Sequence, residues 1–340
     1  SVGIDVPSTS VNFSIKYMLY NIHLETGTYF IKATASDGTN ETNSYKQISI
    51  TGAPKERTGI YVVTKKSANQ LGILKVDSAF AVTPLLTLNG DLSSSAINSY
   101  DQYLYVAGQY TGSANAINLE NNSIAWTVPG GSGSSPYFKG IGYANQKCYI
   151  SFYNGSINGS GYIKGYNVYG STIFNTALAS GFYPIKTFVH EQYLLAEEKD
   201  YSSPSKKLVT YYLSSGAGKQ EKSISRNVIE FFRKDIDEIY VMSNDLSQQA
   251  TMEIYDAANN SFWSPHTLPS GKLLSAAQVN SDIYLIGLDN NTVYTYQYSN
   301  NSLLTLLSGT KAVKIEYDET ANEVIIAESN QLTSYDLGSP

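Results

Sequence analysis

The sequence predicts an all-β chain whose larger part is a ring of seven small antiparallel sheets, and three observations carry this. A short apolar run recurs seven times: IYVV from Ile60, LYVA from Leu104, CYIS from Cys148, YLLA from Tyr193, IYVM from Ile239, IYLI from Ile283 and VIIA from Val324. Their anchors, Tyr61, Tyr105, Tyr149, Leu194, Tyr240, Tyr284 and Ile325, are spaced by 44, 44, 45, 46, 44 and 41 residues, a period that marks a repeat architecture. The composition fits half-buried strands, with 42% hydrophobic and only 15% charged residues and 29 tyrosines whose rings bury while their hydroxyls reach water. No stretch holds a helical period, which excludes a helical solenoid.

Each period resolves into four strands. Before most of the apolar runs stands a first strand, read from AINSY, FKGIGYA, IKTFV, VIEFF, LSAAQV and AVKIEY. The run itself is the second strand, and a third follows in KVDS, AINLE, GYNVY, TYYLS, IYDAA, TYQYS and SYDLG. In three copies the third strand ends in one turn, Asn121-Asn122-Ser123, Asn259-Asn260-Ser261 or Asn300-Asn301-Ser302, and then an apolar fourth strand such as IAWTV or LLTLL. Asparagine tolerates positive φ, so these are tight hairpin turns. Four hairpin-linked strands make a propeller blade, and the expectation is a seven-bladed β-propeller over residues 60–340. The first repeat lacks a clear inner strand and the last stops before an outer one. Two closures stay open: a strand from upstream of Arg57 completes a terminal blade, or one blade has three strands.

Residues 1–52 read differently. GTYFIKATA alternates apolar and polar residues, turns at Asp37-Gly38 and resumes in YKQISI, a strand, a hairpin and a strand. GAPKERTG has the Pro, Gly and charge character of a boundary, which sets a linker at 53–59. GTYFIKATASDG resembles the closing half of bacterial immunoglobulin-like or PKD-like modules, and residues 1–52 are shorter than the 80 to 100 or so residues such a β-sandwich needs. Within the repeats, residues 252–287 look like one kelch repeat without its paired glycines, and AINLENNSIAWTVPG resembles a quinoprotein-type repeat ending in tryptophan. The combination resembles the PKD-like surface lipoproteins of polysaccharide-importing bacteria. That resemblance implies an extracellular or outer-membrane location, a lipid anchor upstream of Ser1, and a binding or presenting role with a polysaccharide or surface protein as partner.

Charge narrows the partners. The net charge is -6 with no long basic run, against a nucleic-acid partner, and no apolar run approaches a membrane span. Cys148 is the only cysteine, so no disulfide framework or multi-cysteine metal site is possible; it reads as a small core hydrophobe. His23, His190 and His266 have no ligand-like spacing, and neither metal nor other cofactor is expected. No nucleophile elbow, zincin helix or phosphate loop appears. Two carboxylates from separate blades could still assemble a glycosidase or lyase centre, the candidates being Glu197, Glu198 and Asp200 after one second strand and Asp235, Asp237 and Glu238 in a first-to-second hairpin; their ordinary reading is solvated loop charge. The sequons at Asn12, Asn40, Asn121, Asn154, Asn158, Asn259, Asn290 and Asn300 are better explained as turns where they coincide with them.

Strand order gives the candidate site. Loops between second and third strands share a face with the connections between blades, and in repeats two to four these loops are long. They bring Tyr110, Tyr137, Phe138, Tyr153, Tyr162, Phe182, Tyr183 and Tyr201, interleaved with Asn154 and Asn158, to one rim. Aromatic faces beside amides suit sugar stacking or a protein partner, and the same rings could equally pack the loops on one another. The expected function is non-catalytic binding at the cell surface. The alternatives are a glycoside hydrolase or lyase and a passive structural subunit.

Overall fold

In a computed structural model, residues 27–36 and 41–50 are described, and then 60–337 apart from 68, 78, 99–102, 110–112, 129–136, 145–146, 154–160, 168, 191, 236, 320 and 330. Every regular element among them is a strand, and no helix is long and apolar enough to cross a membrane. The chain divides into two compact units, Ser1–Glu56 and Arg57–Pro340. In the first, β1 (Gly27–Ser36) and β2 (Glu41–Ile50) pair antiparallel from Gly27 opposite Ile50 to Ser36 opposite Glu41, the two strands expected around Asp37-Gly38. The turn itself lies outside the described residues.

The second unit is a seven-bladed β-propeller, each blade an antiparallel sheet in plain sequence order. Blade 1 is β3 (Ile60–Ser67), β4 (Gln70–Val76) and β5 (Val82–Asn89). Blade 2 is β6 (Asp91–Asn98), β7 (Tyr103–Gln109), β8 (Ala114–Asn118) and β9 (Ser123–Val128), and blade 3 is β10 (Tyr137–Ala144), β11 (Lys147–Tyr153), β12 (Gly161–Asn167) and β13 (Thr172–Ala177). Blade 4 comprises β14 (Phe182–His190), β15 (Tyr193–Asp200), β16 (Lys206–Tyr212) and β17 (Gly218–Ile224), and blade 5 β18 (Asn227–Arg233), β19 (Glu238–Asn244), β20 (Ala250–Asp256) and β21 (Ser261–Thr267). Blade 6 holds β22 (Leu273–Gln278), β23 (Ile283–Leu288), β24 (Thr292–Gln297) and β25 (Ser302–Ser308); blade 7 holds β26 (Lys314–Asp318), β27 (Glu323–Ala327) and β28 (Leu332–Asp336). Among the described residues both terminal blades have three strands, blade 1 without a first and blade 7 without a fourth.

The seven anchors occupy the second-strand position of the seven blades. In the inner blades these strands are sandwiched between neighbouring blades, so both of their faces are buried, and β11, β19 and β23 are buried from their second residue to their last, whereas β3 of the terminal blade 1 is only half-buried and then exposed. That is why they read as continuous apolar runs rather than alternating ones. Outer strands such as β9 and β25 face solvent and are largely exposed or half-buried.

The core is divided among the seams. One apolar cluster fills each interface between consecutive blades from blades 1 and 2 through blades 6 and 7 among the described residues. Cys148 lies in the cluster between blades 2 and 3 with Tyr105, Ile141, Ile150 and Tyr166, and burial pushes its thiol pKa well up, as befits a core residue.

The asparagine turns take the conformation that the sequence implied. Asn122, Asn260 and Asn301 have φ of 55°, 54° and 54°. A further tie recurs here: the hydroxyls of Tyr255, Tyr296 and Tyr317 donate to the side-chain oxygens of Asn260, Asn301 and Asn322, each five residues on. Near the axis, Glu230 of β18 accepts from Lys186 of blade 4 and from Lys314 of blade 7, both at 3.1 Å, so one carboxylate ties three inner strands together.

Candidate binding rim at the seam of blades 3 and 4

Of the ten rim residues expected from sequence, Tyr110, Asn154 and Asn158 lie outside the described residues. Tyr137 and Phe138 open β10 opposite Tyr153 and Phe152, their side chains likewise outside the description. Tyr153, at the end of β11, Tyr183, near the start of β14, and Tyr201, just beyond β15, come together. Their ring centroids are 5.1 Å (Tyr153 to Tyr183), 6.1 Å (Tyr153 to Tyr201) and 6.3 Å (Tyr183 to Tyr201) apart, within the range in which aromatic pairs attract.

Exposure is graded across the three: Tyr153 is 7% exposed, Tyr183 half-buried and Tyr201 44% exposed. The Tyr201 amide donates to the Gly181 carbonyl at 2.8 Å, which pins the outermost residue to the blade connection. Gly161 allows the close approach beneath them, because a Cβ there would stand 2.7 Å from Pro184 Cδ and 3.0 Å from Tyr183 Cα. Tyr162 goes elsewhere. It pairs with Phe152 in the ladder and stacks on it with centroids 5.4 Å apart, against the cluster between blades 2 and 3. Tyr153 and Tyr162 thus project from opposite faces of one sheet.

Glu197 and Glu198 require a correction. They are strand residues of β15 and buried, not solvated loop charges. One oxygen of Glu198 accepts from the Tyr211 hydroxyl; Oε2 has no hydrogen-bond donor and stands 3.8 Å from Lys207 Nζ. Lys207 is turned instead to the exposed Glu221, at 2.7 Å, with its ammonium 4.2 Å from the centroid of the Phe182 ring. Burial is the main force on Glu198 and raises its pKa to about 7, against the lowering effects of Tyr211 and Lys207. Burial and then the neighbouring carboxylate push Tyr211 upward. Glu197 is also raised, by burial, although Lys206 lies 3.1 Å away and opposes the shift.

Successive strand residues face opposite ways, and the partners agree: Glu197 reaches Lys206 and the amide of Val228 in blade 5, whereas Glu198 reaches Tyr211 in the cluster between blades 3 and 4. The two carboxylates cannot flank one substrate bond. Asp200 is fully engaged with Ser202 and Ser203, which lower its pKa. Asp235 and Glu238 belong to the β18–β19 hairpin on the other face, where the Asp235 carbonyl accepts from His190 Nε2 at 2.5 Å. His266 is hydrogen-bonded and stacked within the seam of blades 5 and 6, and His23 lies outside the described residues.

Lys207, Glu221 and Tyr211 escaped the sequence reasoning. Only Lys207 had a signal, in EEKDYSSPSKK, where Glu198 and Lys207 flank one loop and stand opposite each other across the hairpin; Tyr211 and Glu221 lie beyond that segment.

No family model and no curated protein matches the sequence. Solved structures do resemble the fold. The chain is similar to hydrazine synthase of Kuenenia stuttgartiensis, with a TM-score of 0.64 and 13% identity over 78% of this chain and 89% of that one. It is similar to the WD40 β-propeller domain of Doa1 (0.60, 14%, 83% and 90%) and to the β-propeller domain of Myceliophteria thermophila Cps50 (Swd1) (0.61, 11%, 83% and 94%). At these identities the likeness establishes the propeller fold and carries no activity.

Proposed function

We propose that this protein works at the cell surface through a non-catalytic binding rim at the seam of blades 3 and 4, and that the tyrosine cluster there is where a glycan docks. The observation supporting this is the graded exposure of three mutually packed rings: Tyr153 and Tyr183 hold Tyr201 in place, and Tyr201 leaves a large part of its ring to solvent. An aromatic anchor already immobilised by its neighbours loses little side-chain entropy on stacking against a sugar. A surface protein is the second ligand class, since the same ring could fill a pocket on a partner. The PKD-like resemblance of residues 1–52 supports an outer-membrane or extracellular location with a lipid anchor upstream. The test is a carbohydrate array probed with wild type and a Tyr183→Ala, Tyr201→Ala double variant. A glycan retained by wild type and released by the variant supports the reading; no bound glycan on the array refutes it in favour of a protein ligand or a passive subunit.

A further inference from the structure

A second constellation lies at the seam of blades 5 and 6, apart from the rim. Ser264 stands within β21 with φ of 52°. The other described non-glycine residues at positive φ lie in turns or beside them, and all of those but Phe80 and Gln248 are asparagines. A left-handed serine inside a strand is strained and persists only where its neighbours hold it. Each described ladder between third and fourth strands shifts register once, and in blade 5 alone does that bulge place a residue at positive φ.

The neighbours form one hydrogen-bonded chain. Tyr298 donates its hydroxyl to Ser264 Oγ at 2.9 Å, and Oγ lies 3.4 Å from His266 Nε2. Nδ1 of the same imidazole is 2.6 Å from the Tyr296 hydroxyl. A tyrosine hydroxyl has one proton, and Tyr296 gives it to Asn301 at 3.0 Å, the same tie made by Tyr255 and Tyr317. It must therefore accept from Nδ1–H, which leaves the Nε2 lone pair for the proton of Ser264. Stacking on Tyr298, with centroids 4.4 Å apart and 16° between the planes, fixes the imidazole further. A hydroxyl, a base directed at it and a third group orienting the base are the parts of an activated nucleophile, and a separation of 3.4 Å is the loose geometry common before substrate binds.

We propose that Ser264 is a nucleophile with His266 as its general base and Tyr296 as the residue that positions the base. Ser264 and His266 are half-buried, and the neighbouring Trp263 is 42% exposed with Lys234 Nζ 5.3 Å from its ring centroid, which favours small carboxylic esters with an aryl or apolar part. In the reaction Oγ bonds to the ester carbon as its proton passes to Nε2. The carbon–oxygen bond to the leaving group then breaks, and that group takes the proton from His266. Water enters by the same route, releases the acid and restores the serine hydroxyl.

The full chain is treated with a fluorophosphonate probe and the adduct mapped by peptide mass spectrometry; attack on phosphorus expels fluoride and leaves an Oγ–phosphorus bond. One adduct on Ser264 is expected, forming at least about 10-fold more slowly in His266→Gln, in keeping with the usual contribution of a general base. Ser264→Gly, which accepts the positive φ and so retains the fold, forms none and loses the hydrolysis of p-nitrophenyl acetate. Tyr296→Phe changes the pH profile of labelling. No adduct on the wild type, an adduct on another residue, or an unchanged rate in His266→Gln overturns the proposal.

Discussion

The seam between blades 3 and 4 and the seam between blades 5 and 6 share an apolar plan and differ in what lies beside it. Each is filled by aliphatic and tyrosine side chains from second and third strands, such as Tyr149, Leu194 and Tyr211 in one and Tyr240, Ile286 and Tyr296 in the other. The first then buries an acid, Glu198, beneath an aromatic rim; the second carries a largely half-buried neutral chain of hydroxyls, imidazole and amide around the buried Tyr296. A neutral chain can satisfy each hydrogen atom with one acceptor. A carboxylate with one unbonded oxygen cannot do so without taking up a proton, and the seam that holds it becomes sensitive to pH.

The largest effects should be equal in the two seams. Leu194→Ala and Ile286→Ala each remove a fully buried aliphatic chain, and chemical denaturation should show a loss of about 2–5 kcal/mol for either. A large disparity would mean that the blades are not equivalent in packing.

The next effect separates them. Burial raises the folded-state pKa of Glu198 from 4.5 to about 7, so folding favours the protonated acid. Its contribution to stability is fully present below about pH 4.5 and is lost as pH rises through about 7. At about 1.4 kcal/mol per pKa unit the loss is on the order of 3 kcal/mol. Glu198→Gln keeps an acceptor for Tyr211 and removes the titration, so it should gain on wild type by that amount between pH 4.5 and pH 8, measured by urea denaturation. An unchanged difference across that range would show that Lys207 keeps the carboxylate ionised throughout.

In the other seam, Tyr296→Phe should cost about 1 kcal/mol, because it removes the acceptor of the half-buried imidazole Nδ1–H, while the Asn301 oxygen, in an exposed turn, can bond to water instead. A cost near zero would mean that water replaces the hydroxyl. Smallest is Tyr201→Ala, which truncates an exposed ring and should change stability by less than about 0.5 kcal/mol.

These contrasts explain what could be read from the chain beforehand. The blades were legible because most second strands are buried on both faces and advertise themselves as unbroken apolar runs at a fixed period, a period that the half-buried β3 of blade 1 shares. The turns were legible because Asn260 and Asn301 need only their own backbone conformation. The candidate site was legible in part: Tyr153, Tyr183 and Tyr201 meet because blade order alone brings their loops to one face. Tyr162 separated from them on a matter of strand parity, since its register opposite Phe152 rather than Tyr153 decides which seam it enters. The burial of Glu198 depends on Tyr211, thirteen residues away on the next strand, and the orientation of His266 depends on Tyr296 in the next blade. Neither pairing leaves a local pattern.

The claim that the rim is the working surface is tested most directly by measuring binding to a carbohydrate array for three proteins side by side: wild type, Tyr201→Ala, and His266→Gln as a control in the other seam. The account predicts that Tyr201→Ala weakens retention by about 10-fold or more while His266→Gln binds as wild type does, since loss of a central aromatic anchor typically costs at least 1–2 kcal/mol. Retention unchanged in Tyr201→Ala, or weakened equally in both variants, would contradict it.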